Sequence, residues 1–134
     1  MSLTTVIPVL ASIAAVLVGL AIAAYDLSWR GVWRVPAAAS AVFLLFSLVT
    51  VVREGPVGFW ALHTHNLWGN QVWIDLLLAA SVAFAALAPR ARALGMRPVP
   101  WFILVMATGS VGLLALAARV LFLADRSRRG TIAA

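Results

Sequence analysis

The sequence predicts an all-α integral membrane protein: a four-helix transmembrane bundle with an interfacial amphipathic segment between helices 2 and 3. Three observations carry that prediction. Hydrophobic residues make up 64% of the chain and the mean hydropathy is +1.05, while only 10% of residues are charged. An ordinary soluble domain carries about 25% charged residues, so this chain has too little polar surface to face water on all sides, whereas lipid asks for none. The apolar residues fall into four runs, each near the roughly 17–25 residues a helix needs to cross the hydrocarbon. All ten basic residues are arginine, the formal net charge is +6, and most of them lie between the runs or at their ends. At 134 residues the whole chain, 1–134, is one transmembrane domain with no room for a separate soluble module.

The first run covers residues 3–24 and has no charge. Ala11, Ala15, Gly19 and Ala23 recur every fourth residue, a stripe that lets a second helix approach closely in lipid. It exceeds the apolar core of a usual signal peptide and has no basic residue before it, so it is expected to be a retained helix. Residues 25–35 form a connector in which Trp29 and Trp33 alternate with Arg30 and Arg34. Indole rings settle at headgroup level and guanidinium groups reach phosphate, so this is an interfacial anchor. Pro36 then opens the second run, 36–52, from the first helical turn, where its missing N–H costs nothing.

Gly55-Pro56 ends that helix. Residues 57–70 are too polar to span and too aromatic for an ordinary loop, and are expected to lie as a short helix on the membrane surface. The third run, 71–88, stops at Pro89, and an arginine-rich loop leads to the fourth, 101–124. Four spans place both termini on one side. The arginines then divide almost evenly between the two faces, and the positive-inside rule gives only a weak preference for termini outside. Nucleic-acid binding is not expected, because arginines in short loops and at helix ends match anionic headgroups and topology signals.

Polar groups gather between Phe59 and Asp75, a stretch that holds both histidines. His63, His65, Asn66 and Asn70 form an expected interfacial polar cluster. With two continuous antiparallel spans, Asp75 and Arg119 would both lie about 6–8 Å from the same membrane face. An unpaired charge in lipid costs roughly 2.5–3.5 kcal/mol even on the lenient insertion scale. An Asp75–Arg119 ion pair is therefore expected, either as a structural pair fixing helix register or as the frame of a polar ligand pocket. His63 and His65 diverge by about 200° on a helix, so no metal or cofactor is expected there; a haem or metal held by them is the alternative. The absence of cysteine removes disulfides and thiol chemistry.

From Phe43 to Asp125 the chain resembles small bacterial membrane proteins of the domain-of-unknown-function family numbered twenty-eight thirty-four. The features that carry the resemblance are Asp75 opening a helix, the Arg92-Ala93-Leu94-Gly95-Met96 turn, Pro100-Trp101 opening the next helix, Gly109-Ser110 within it, and the closing run from Arg119 to Asp125. The resemblance implies a bacterial integral membrane protein and supplies no catalytic residues.

The functional expectation is a multi-pass protein of the bacterial inner membrane that binds a lipid-like ligand, such as a membrane lipid or another hydrophobic small molecule, or a partner membrane subunit, a second copy included. Whether it is an enzyme stays open. A small membrane enzyme or redox component acting on an isoprenoid or quinone, through His63, His65 and Asp75, is one alternative. A small transporter is the other, although Asp75 is shallow for proton-coupled export.

Overall fold

The computed structural model describes residues 3–25 and 31–132, and these divide into two units, 1–30 and 31–134. The described residues are helical throughout, with turns and no strand. Unit one is α1 (Leu3–Ala24), a helix with the expected limits. Unit two contains α2 (Arg34–Glu54), α3 (Gly58–Thr64), α4 (Leu67–Ala93), α5 (Pro98–Thr108) and α6 (Ser110–Ile132). Among the described residues, three helices are long and apolar enough to cross a membrane: residues 4–24, 34–54 and 67–93.

Two expected boundaries move. The segment expected to lie on the surface over 57–70 forms α3, but its last residues belong to α4. Asn66 caps that helix, its side-chain oxygen accepting from the Gly69 N–H at 2.8 Å, which satisfies one of the orphan donors at a helix start. At the other end α4 runs through Pro89 to Ala93. Proline forfeits one backbone bond in a helix, a tolerable loss near the last turn. The stop comes instead from Gly95, at φ +76°. The Met96 N–H donates to Ala91 and the Gly95 N–H to Arg92, both at 2.9 Å, the paired bonds of a Schellman ending.

The largest departure concerns the fourth run. One continuous helix over 101–124 was expected, and the chain instead breaks at Gly109, whose φ of +58° and ψ of −124° lie where side chains other than hydrogen are strained. α5 and α6 fold back on each other there. A Cβ at Gly112 would stand 2.8 Å from the carbonyl oxygen of Leu104, although eight residues of straight helix would separate the two by about 12 Å. The edge-to-face contact of Phe84 with Phe102, at 5.3 Å, sets α5 alongside α4.

α6 is the centre of this unit. On one flank it packs against α2, with Ser40 donating to the Val111 carbonyl at 2.9 Å and Trp33 edge-on to Phe122 at 5.2 Å. The pairs 40 with 111 and 33 with 122 run in opposite senses, so α2 and α6 are antiparallel. On another flank Leu116 and Val120 close on Ala91 of α4, under Phe84, Leu87, Leu94, Met96 and Trp101. Leu116 is 1% exposed. Lipid supplies no hydrophobic drive between helices, so this cluster is held by van der Waals packing. Leu116→Ala is expected to lower stability by about 2 kcal/mol, the low end of the buried-leucine range, because the cavity term survives in lipid while the transfer term shrinks. Denaturant titration of helicity in detergent reads that loss.

Candidate functional site

The expected Asp75–Arg119 ion pair does not form. Among the described residues the ion pair present joins Arg129 to Asp125. The cause is the fold-back at Gly109. It brings Leu116 and Val120, and so Arg119 between them, to Ala91 near the C-terminal end of α4. Asp75 lies sixteen residues before Ala91, about 24 Å away along the helix. The Arg119 guanidinium sits 5.8 Å from the Phe122 ring centre instead. Asp75 is exposed on the side of α4 away from the packed face.

The polar residues around the α3–α4 corner do structural work. The half-buried His63 ring lies 5.1 Å from Trp73 and 6.5 Å from Phe59, and Phe59 lies 5.7 Å from Trp73. His65 is the exposed C-cap of α3. Asn66 caps α4, and the Asn70 side-chain amide donates to the Asn66 carbonyl at 3.0 Å. The corner is tight: a Cβ at Gly69 would meet the Leu62 carbonyl oxygen at 2.6 Å. The two histidines are thus committed to different surroundings. Among the described residues, no three His, Cys, Asp or Glu side chains converge as metal ligands would.

The fold assembles a different site at the opposite end. Trp33 and Arg34 open α2, and Phe122, Asp125, Arg126 and Arg129 follow one another at helical spacing on α6. Spacings of three and four residues put the latter four on one face. Together the six side chains line a cleft of about 330 Å³. Its wall is the Trp33–Phe122 aromatic pair, with the Arg34 guanidinium 5.7 Å from the Trp33 ring centre. The Arg129 guanidinium donates to the Asp125 carboxylate at 2.7 Å, and this carboxylate is 14% exposed. Arg34 and Arg126 have no carboxylate partner among the described residues.

The surroundings add to that charge. Arg90 and Arg92 end α4, Arg97 caps α5, and Arg128 lies in the last turns of α6. Eight of the nine described arginines therefore gather at this end, with Arg53 alone at the other. The sequence held one legible signal of the cleft, the i, i+3, i+4, i+7 spacing of Phe122, Asp125, Arg126 and Arg129. It did not hold their neighbours, because a continuous fourth helix would carry them to the face away from Arg34.

Comparison with protein-family models, with curated proteins and with solved structures found no match. The site is therefore read from its own chemistry. A cleft with an aromatic wall and unpaired guanidinium groups suits an amphiphile that offers an anionic group to the arginines and a hydrocarbon part to the rings.

Proposed function

We propose that this chain is a multi-pass protein of the bacterial plasma membrane that binds anionic phospholipid at its arginine-rich end. α1, α2 and α4 act as spans. α5 has eleven residues, about 16 Å of helix, which is half the hydrocarbon thickness. The α5–α6 hairpin accordingly enters and leaves by one face. Irregular backbone at such depth is tolerated where protein covers it. The Gly109 N–H donates to Val105 at 2.7 Å and the Leu113 N–H to Gly109 at 3.2 Å, while the Ser40 hydroxyl takes up the Val111 carbonyl. With eight of the nine described arginines at one end and Arg53 at the other, the positive-inside rule favours the arginine-rich end in the cytoplasm.

The observation that carries the lipid reading is the cleft lined by Trp33, Arg34, Phe122, Asp125, Arg126 and Arg129, whose one carboxylate is already paired with Arg129. It stands where a lipid phosphate meets its acyl chains, and Arg34 and Arg126 offer it guanidinium donors. The test is titration of the full chain in detergent with short-chain phosphatidylglycerol and phosphatidylcholine, followed by tryptophan emission and by native mass spectrometry. Each arginine near an anionic surface contributes about 1 kcal/mol. The double variant Arg34→Gln/Arg126→Gln is therefore expected to weaken phosphatidylglycerol binding by roughly thirtyfold and leave phosphatidylcholine unchanged. Equal affinity for the two lipids, or indifference to the double variant, would overturn the proposal.

A further inference from the structure

Three charged side chains in the half of the bundle away from the arginine cluster have no ion-pair partner among the described residues: Asp75 on α4, and Arg53 and Glu54 at the end of α2, where Glu54 points about 100° round the helix from Arg53. From Asp75 and Arg53 we infer that copies of this chain associate side by side in the membrane, with the outer face of α4 on one copy seated against the outer face of α2 on the next.

The arrangement around α6 defines those faces. Val111 and Phe122 meet α2, and Leu116 and Val120, about 140° round the same helix, meet α4. α2 and α4 therefore flank α6, and no comparable packing joins them to each other. On α4 the side packed within the unit carries Trp73, Phe84 and Ala91. Asp75 lies about 200° from Trp73, and Ala79, Val82 and Ala86 continue its stripe at four, seven and eleven residues. On α2 the side packed on α6 carries Trp33 and Ser40. Arg53 lies about 220° from Ser40, and Val49, Phe46 and Val42 continue its stripe at four, seven and eleven residues back. Val82 is 71% exposed and Val42 70% exposed, so both stripes are uncovered.

The two stripes match in three ways. Their spacing is the same when read in opposite directions. α2 and α4 also run in opposite directions, because α6 is antiparallel to α2 while the α4–α5–α6 double reversal returns it to the direction of α4. Laid together, Asp75 comes opposite Arg53, Ala79 and Val82 opposite Val49 and Phe46, and Ala86 opposite Val42. The sizes are compatible too, with Ala79 and Ala86 against Val49 and Val42 and Val82 against Phe46, and small residues are what allow close helix approach in lipid. Lastly, the charges are opposite and fall at the same end. Residues 3–25 carry no charged side chain, so α1 has nothing to neutralise Asp75, whereas a second copy brings Arg53. Because the two faces differ, the contact is heterologous, and rotation about the membrane normal closes it into a ring.

The chain has no cysteine, so introduced ones report alone. In reconstituted bilayers, a mixture of Ala79→Cys and Val49→Cys chains is expected to cross-link on oxidation, while neither variant cross-links with itself. Energy transfer between labelled full-length chains gives the association constant. Asp75→Arg and Arg53→Asp are each expected to lower it at least tenfold, and the double swap to recover it to within about threefold. The cysteine pairs leave both ions in place, so they decide the matter even where a charge-reversed chain fails to insert. A monomeric wild type, cross-linking of Ala79→Cys with itself, or association indifferent to both charge reversals would overturn the inference.

Discussion

A single cysteine at Ser127 is expected to react with a membrane-impermeant maleimide from the same face as one at Arg97, and from the face opposite to one at Val57. The expectation rests on the reversal at Gly109. Leu104 and Gly112 stand side by side across it, so α6 leaves by the face through which α5 entered. A continuous helix over 101–124 would send Ser127 to the face of Val57, the outcome that sinks the hairpin. The effect is all or none, because a maleimide either reaches the thiol from a given side or does not. Val57 is 71% exposed, and Arg97 and Ser127 lie on exposed positions, so access within the protein does not limit the labelling. Intact cells and inverted vesicles supply the two orientations. The lipid proposal depends on this result, since only the fold-back sets Phe122, Arg126 and Arg129 beside Trp33 and Arg34.

The same reversal explains what the sequence made legible and what it hid. Hydropathy and length placed α1 within its limits and placed α2 and α4 to within a few residues, because burial in hydrocarbon depends on composition over a whole turn-rich window. Trp33 and Arg34 stand out by residue type, and the structure sets both in the cleft. The α3–α4 corner was half readable: its polar residues were evident, but Asn66 as a cap and Gly69 as a point of close approach depend on the angle between two helices. The spacing that would pair Asp75 with Arg119 holds only for a continuous fourth helix, and Gly109 breaks that helix. Gly109-Ser110 within an apolar run carries no signal that separates a tolerated glycine from a reversal, since every neighbour is as apolar as a straight span requires. The split vote of the arginines was the symptom. A count that assumed four spans divided them, and the hairpin returns Arg126, Arg128 and Arg129 to the face of Arg34, Arg90, Arg92 and Arg97. Charge distribution that resists a topology is evidence against the topology.

Replacing Gly112 by leucine is expected to break the α5–α6 hairpin. A Cβ there would meet the Thr108 hydroxyl oxygen at 2.7 Å, the Leu104 carbonyl oxygen at 2.8 Å and its carbon at 2.9 Å. Two of these three are backbone atoms of α5, and moving them moves the helix. Over-packing a core costs about 1–3 kcal/mol when side chains can shift, and Gly112→Ala is expected within that range. Gly112→Leu adds a branched chain where a single methyl already collides, so the hairpin is expected to open and the purified protein to lose its single, cooperative thermal transition. Removing the hydroxyl with Thr108→Ala is expected to restore less than half of the alanine variant's loss, because the carbonyl obstacle remains. Gly19→Leu is the control: nothing lies within 4 Å of a Cβ built there, and its stability is expected to match the wild type. Helicity and thermal unfolding in one detergent compare all four. If Gly112→Leu unfolds like Gly19→Leu, the close approach of α5 and α6 is wrong, and with it the placement of every arginine beyond Gly109.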